Sequence, residues 1–422
     1  MQRYDTYKDS GVKWLGEIPR HWEVKRLASY FTERRVKVSD KEYEPLSVTK
    51  LGVFPQWENV AKTNDGDNRK LVKKGDFVIN SRSDRKGSSG VADRDGSVSL
   101  INIVLKPRNT IRADFSNYLL KSYKFIEEYY RNGRGIVADL WTTRYDEMKM
   151  IKLAVPPLEE QTAIANYLDT ATAKIDAAIA QQQKMIDLLN ERKQIIINRA
   201  VTKGLNPNAK MKDSGVEWIG EVPEGWEVIK TSYVFNHIGS GTTPKSSSEE
   251  FYDDNGFSFL QTGDLNDGYI KTTSRKITEK ALRNTGLKIY PQGSLVIAMY
   301  GATIGKLGIL NIETTVNQAC CVLPETGMMD TRFAFYVFSV AKNDLIQQSK
   351  GGGQPNISQE TIRNEKIVVP PFDEQKRITD YIDNIRIPID TAIETANNQI
   401  SLLQERKQII INEVVTGKIK VV

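Results

Sequence analysis

Histidine is almost missing from this chain: its 422 residues hold two, His21 and His237, at places that do not correspond in any internal alignment. No histidine–cysteine cluster exists, which leaves no ligand set for a zinc site and no base for a serine or cysteine triad. Cysteine is as scarce. Cys320 and Cys321 are adjacent in the apolar run QACCVL, cannot staple distant segments, and read as strand interior. No apolar run approaches the roughly 18 residues that a membrane helix needs. The opening MQRYDTYKDS has no apolar core of a signal peptide, so a soluble cytosolic protein with no membrane partner is expected. A phosphate-binding Walker loop is absent too. Gly301-Ala302-Thr303-Ile304-Gly305-Lys306 is one residue short between its glycines, and Leu307 follows where Ser or Thr is required.

What is present is a repeat. Lys8–Val24 reads KDSGVKWLGEIPRHWEV and Lys212–Val228 reads KDSGVEWIGEVPEGWEV, an offset of 204. VPPLEEQ at Val155–Gln161 returns as VPPFDEQ at Val369–Gln375, and ERKQIIIN at Glu191–Asn198 returns unchanged at Glu405–Asn412, both offset by 214. The segments between, Lys25–Ala154 and Ile229–Val368, align at few positions, and ten extra residues in the second explain the change of offset. A duplicated frame around diverged middles implies a scaffold kept and a recognition surface changed. With 39% apolar and 27% charged residues, each half can build a globular core. The net charge of +6 is mild, but Arg69–Arg94 gathers eight Lys/Arg against three Asp. That run suits either a phosphate-lined partner or an ordinary solvated patch.

Each middle alternates short β-type runs (Phe77–Ile79, Ile101–Leu105, Ser294–Met299, Ala319–Leu323) with helical stretches (Ser116–Tyr130, Thr331–Gln348), as in a mixed α/β domain with prominent loops. A Pro-Pro pair closes each middle, and the acidic residues that follow favour a helix start through the macrodipole. Then comes a heptad seam. Ile175, Ile179, Gln182, Ile186, Leu189, Lys193, Ile196 and Ala200 step by four and three, and Ile389, Ile393, Ala396, Ile400, Leu403, Lys407, Ile410 and Val414 repeat the pattern. A spacing of 3.5 held for over three heptads predicts a coiled coil. The narrow seam favours two helices packed antiparallel, relating the halves by a pseudo-twofold axis, over two helices that each cap their own domain. Pro388 predicts a break, with a short helix over 373–384 before the long one and a matching break near 170–174. The remaining rod of about 28 residues spans roughly 42 Å.

The Pro-Pro pairs carry no adenine-methylation motif: Val369 stands where an amide or carboxylate is needed, and Val155-Pro156-Pro157-Leu158 also lacks the aromatic. Glu23-Val24-Lys25 has the form of a nuclease Glu-x-Lys without its acidic partner, and its copy ends in Ile229. What remains is two sets of polar, glycine-rich loops. In the first middle these are Ser81, Arg82, Arg85 and Lys86 after one strand, then Thr142, Thr143 and Arg144 before the Pro-Pro pair. In the second they are Thr242 and Thr243, then Tyr300, Thr303 and Lys306 after a strand, and Gln354, Asn356 and Ser358 before the pair. Such side chains read base edges, and glycine lets backbone approach phosphate.

The twin DSGVxW[LI]GE[IV]PxxW segments, the twin VPPxxEQ helix starts and the twin LLxERKQIIIN helices resemble the DNA-specificity subunit of type I restriction-modification systems. The loops GSLVIAMYGATIGKLGI and GGGQPNIS resemble its target-recognition domains; Gly75–Val91 matches more loosely. The resemblance implies an α+β chain divided as 1–157 (first recognition domain), 158–207 (first helical spacer), 208–371 (second recognition domain) and 372–422 (second spacer). It implies a non-catalytic reader of double-stranded DNA, each domain taking half of a split site. Two modification subunits would bring adenine methylation with S-adenosylmethionine, and two restriction subunits would bring nuclease action with ATP and Mg. A stand-alone DNA-binding regulator and a two-armed protein-interaction scaffold are the alternatives.

Overall fold

A computed structural model describes residues 2–56, 66–135, 141–348 and 356–421. The chain divides into two compact units, one of Met1–Lys184 with Ala396–Val422 and the other of Met185–Thr395.

In the first unit the opening frame is a hairpin, Tyr7–Asp9 against Glu17–Pro19. Strand Glu23–Arg26 then pairs antiparallel with Lys152–Val155, so both ends of the diverged middle meet at one place. Between them lies a four-stranded sheet in the order Ser89–Val91, Phe77–Asn80, Asn102–Pro107, Phe31–Glu33. A three-stranded sheet follows the order Gly96–Val98, Arg69–Val72, Lys37–Val38. Phe77 and Ile79 point into a core with Trp22, Phe31, Phe115 and Tyr129, while Val78 faces a smaller cluster with Val72, Val98 and Val104. That alternation is what period-two strands buried on both faces require. The helical stretch expected over Ser116–Tyr130 is two helices, Ala113–Lys121 and Tyr123–Arg131. Ser122 breaks it: its backbone is extended and its side chain accepts from the Phe125 N–H as an N-cap.

The second unit repeats the frame around other contents. Hairpin Met211–Asp213 with Glu221–Pro223 is followed by strand Glu227–Lys230 paired with Lys366–Val369. A five-stranded sheet has the order Gly239–Ser240, Cys320–Leu323, Leu295–Ala298, Leu307–Leu310, Gly268–Ile270, its last pair parallel. A three-stranded sheet has Arg275–Ile277, Tyr252–Leu260 and Thr315–Val316. Helix Thr331–Gln347 packs its Phe333, Val337, Ala341 and Leu345 into the core. Cys320 and Cys321 are both buried strand residues, and burial pushes the Cys321 thiol up to about 12.

The repeated VPPxxEQ motif holds each frame together. Glu160 is nearly buried and accepts from Tyr4 Oη (2.5 Å), Trp22 Nε1 (3.0 Å) and His21 Nε2 (2.7 Å). Gln161 is buried with its amide bonded to the Pro156 and Thr110 carbonyls, while its oxygen takes the Arg112 N–H. In the second copy Trp226 Nε1 donates to Glu374 at 3.1 Å. Gln375 joins the Pro370 and Met328 carbonyls and the Asp330 N–H. Hydrogen bonding therefore fixes these residues more specifically than the helix macrodipole, which the acidic pair alone suggests.

The helices that follow are longer than the sequence rules predict. Leu158–Lys203 is one helix of 46 residues and Phe372–Val415 one of 44. Neither the break expected at Pro388 nor its counterpart near 170–174 exists. Pro388 is exposed, so the carbonyl left without a donor faces water. Buried Ile382 and Ile389 hold the helix on either side and offset a penalty of about 3 kcal/mol. At 1.5 Å per residue the rods are roughly 69 and 66 Å, not 42 Å. The seam itself matches: Ile175, Ile186, Ala200, Ile389, Ala396, Ile410 and Val414 are buried, and Ile179, Leu189, Ile196, Ile393, Ile400 and Leu403 are half-buried between exposed neighbours. The two helices run antiparallel within each unit. In the first, Lys407 Nζ bridges Asp176 at 2.7 Å. In the second, Lys193 Nζ bridges Asp390 at 2.7 Å, using the same two repeat positions with the roles of the helices exchanged.

Candidate nucleic-acid interface

The loops singled out in the sequence are brought together in pairs, in the same way in each unit. In the first, strand Phe77–Asn80 runs into Ser81, Arg82 and the short turn Ser83–Arg85 before the chain returns at Ser89. The second loop lies against it: Arg82 bridges Thr142, Thr143 N–H donates to the Ser81 carbonyl at 3.0 Å, and Ser83 N–H donates to the Trp141 carbonyl at 3.0 Å. Tyr130 clamps the pair from behind, its hydroxyl donating to the Asn80 carbonyl at 3.1 Å. In the second unit, strand Leu295–Ala298 runs into Met299–Lys306, closed where Gly305 N–H meets the Ala298 carbonyl at 2.8 Å. Gly305 has φ +72, and a Cβ there would meet the Lys342 stem at 2.8 Å, so glycine is required twice over. The loop before the Pro-Pro pair again lies against this turn: Tyr300 bridges Asn356, and Ile357 N–H donates to the Met299 carbonyl at 2.8 Å.

Not every candidate presents its side chain. Arg82, Arg85, Lys86 and Arg144 are exposed, Lys86 being paired with Glu127 at 2.6 Å and Arg85 lying 3.7 Å from Asp84. Thr142 is half-buried. Ser81 is almost buried, and Thr143 is fully buried with its hydroxyl donating to the Tyr129 carbonyl at 3.1 Å. Both shape the loop from inside and are not available to a ligand. Thr242 and Asn356 are exposed; Thr303 and Lys306 are half-buried. Ser358 is exposed but caps the helix Gln359–Asn364, accepting from Thr361 N–H at 2.9 Å. Gln354 lies outside the described residues.

Gln318 is a residue the sequence patterns miss. It is exposed at the foot of strand Cys320–Leu323 and accepts from the Thr243 hydroxyl. It also bonds the Tyr300 phenol, whose pKa is raised chiefly by burial and so stays a neutral hydroxyl. Gln318 thus draws the Thr242-Thr243 loop to the Tyr300 turn. Its signal was a polar Asn-Gln pair interrupting two buried strand segments.

The basic run Arg69–Arg94 is no continuous cationic stripe. Arg69 is buried and donates to Ser97 Oγ at 2.8 Å and the Ser97 carbonyl at 3.0 Å. Lys70 reaches the Asn102 carbonyl, Lys73 pairs with Asp95 and Arg94 with Asp93. Strand alternation sends these charges to different faces, and neighbouring carboxylates neutralise most of them. Among the described residues no group of three or more His, Cys, Asp or Glu side chains could hold a metal ion, and no helix is long and apolar enough to cross a membrane.

Comparison with known proteins gives these paired loops a context. The family described as type I restriction modification DNA specificity domain matches twice, at residues 19–186 and 223–402. The chain is 27% identical to the type I restriction enzyme MjaVIII specificity subunit of Methanocaldococcus jannaschii, over 98% of this chain and 97% of that one. It is 24% identical to the EcoBI specificity subunit of Escherichia coli, over 63% and 58%. A solved chain from work on complex assembly and conformational transition of the type I R-M system shares the fold at a TM-score of 0.74 and 16% identity, covering 95% of this chain and 99% of that one. With two matched domains covering most of its length, the chain belongs to the type I restriction-modification DNA specificity family.

Proposed function

We propose that each unit reads one half of a split, asymmetric site in double-stranded DNA, and that the paired helices set the distance between the halves. On this reading two modification subunits dock on the helices and supply adenine methylation with S-adenosylmethionine. Two restriction subunits, using ATP and Mg, complete a nuclease complex, and all act in the cytoplasm. This chain contributes recognition and no catalytic group. The supporting observation is that one frame, with its Trp–Glu pair and buried glutamine, carries two unlike sheets whose paired loops stand at equivalent places.

Exchanging residues 27–154 for the matching domain of another family member tests it. One half of the methylated motif is expected to change while the other stays. Change in both halves, or in neither, sinks the modular reading. Single substitutions of Arg82, Arg85, Arg144, Tyr300, Lys306 and Gln354 sort the contacts. Loss of a phosphate contact weakens all sequences and flattens the salt dependence, whereas loss of a base contact relaxes one position by about 1–3 kcal/mol. A protein-interaction scaffold remains the second reading, because the neutralised run Arg69–Arg94 no longer argues against it. It predicts no salt-dependent DNA binding in any complex.

A further inference from the structure

The repeat places one tryptophan in two different settings. Trp218 stands 204 residues after Trp14 in the twin opening frames. In the second unit its Nε1 donates to Glu365 Oε1 at 2.6 Å, and Gln348 donates to the other carboxylate oxygen at 2.9 Å. The first unit has Ile151 at the equivalent place: its carbonyl takes the Leu27 N–H at 2.8 Å as the Glu365 carbonyl takes that of Thr231 at 2.8 Å. Isoleucine has no acceptor to offer. Trp14 Nε1 is buried with no hydrogen-bond partner among the described residues, and Trp141 Nε1 is in the same state.

Both indoles line one cavity of about 780 Å³, within the range of small-molecule sites. Tyr130, Lys13, Lys86 and Lys124 also line it. Lys86 sits 5.9 Å over the Tyr130 ring and is paired with Glu127, while Lys13 and Lys124 have no carboxylate partner among the described residues. The cavity therefore offers flat rings for stacking, two indole donors that want acceptors, and uncompensated positive charge. A nucleotide supplies all three complements: a planar base, ring and carbonyl acceptors, and a phosphate.

We propose that this cavity is a nucleotide-binding site, with the base among Trp14, Tyr130 and Trp141 and the phosphate toward Lys13 and Lys124. The nucleotide is either an extrahelical residue of bound DNA or a free mononucleotide. The site does not depend on the loops reading DNA sequence.

Calorimetric titration of the full chain separates the sources. One arm uses AMP, GMP, CMP and TMP. The other compares a DNA duplex carrying one bulged nucleotide with its fully paired counterpart. Saturable mononucleotide binding with Kd below about 1 mM, or at least tenfold tighter binding of the bulged duplex, is expected. Trp14→Phe and Trp141→Phe are each expected to weaken that binding tenfold or more. Each also leaves the unfolding temperature of the ligand-free chain unchanged or raised, because it deletes an unsatisfied donor. A merely structural tryptophan gives the reverse, lower stability and unaltered binding. Should either variant fail to fold, Lys13→Ala, at an exposed position, is expected to lower affinity in the same assay. Absence of mononucleotide binding together with equal affinity for the two duplexes overturns the proposal, as does wild-type binding by the variants. The paired duplex on the same preparation tests DNA reading separately.

Discussion

Gln161 and Gln375 each replace a whole set of backbone partners at the turn from sheet to long helix, and neither has a solvent path to compensate for its loss. Gln375→Ala leaves the Pro370 and Met328 carbonyls and the Asp330 N–H unpaired. It is expected to lower stability by about 2–4 kcal/mol in urea denaturation. Glu365 tests electrostatics at the same scale. Burial holds its carboxyl above the usual value of 4.5, against hydrogen bonds from Trp218 and Gln348 that pull it down. The folded chain then binds that proton more tightly than the unfolded one, so this contribution to stability is full below the ordinary carboxyl range and falls as pH rises through the raised value. Glu365→Gln is expected to flatten the pH profile of the unfolding temperature in that window; an unchanged profile would show that Glu365 is not held up. None of these roles was legible in the sequence. Trp22 and Glu160 are 138 residues apart and Trp218 and Glu365 are 147 apart, and residue type alone does not show which acceptor meets which donor. Thr143 and Ser81 illustrate the same limit: a hydroxyl in a polar loop reads as exposed until packing turns it inward.

At the scale of elements, periodicity was the reliable signal. The 3.5-residue seam, the buried strands Phe77–Asn80 and Leu295–Ala298 and the helix Thr331–Gln347 follow directly from it. Local breaker rules served less well, because tertiary packing overrides them: Pro388 was read as a stop, yet the helix runs from Phe372 to Val415. Serine at position 122 did the opposite, capping a new helix inside what looked like one amphipathic stretch. If the helix tolerates proline only through its flanking contacts, Pro388→Ala restores a backbone donor and relieves a clash. A gain of about 1–3 kcal/mol in equilibrium unfolding is expected. Equal stability would mean that the proline carries no penalty at this exposed position. The charge run Arg69–Arg94 failed as an indicator for a geometric reason, since adjacent strand residues face opposite ways and Arg69 points inward to Ser97.

At the scale of the whole molecule, duplication is what gives the chain its function. One frame, locked by the same tryptophan, glutamate and glutamine, carries two different sheets, and the family match falls on both copies. The frame was readable because its residues repeat at fixed offsets; the middles were not, because their loops obey no period. If the long helices act as a ruler, inserting one heptad at equivalent points of both is expected to lengthen the gap between half-sites without changing either half, read from the methylated motif. An unaltered gap would show that something else sets the spacing. The most direct measurement is a map of methylated adenines across the source genome with and without this gene. Two unlike half-sites separated by a fixed gap, methylated only when the gene is present, are predicted. A palindromic motif, or a methylation pattern indifferent to the gene, would contradict a split reader with two different heads.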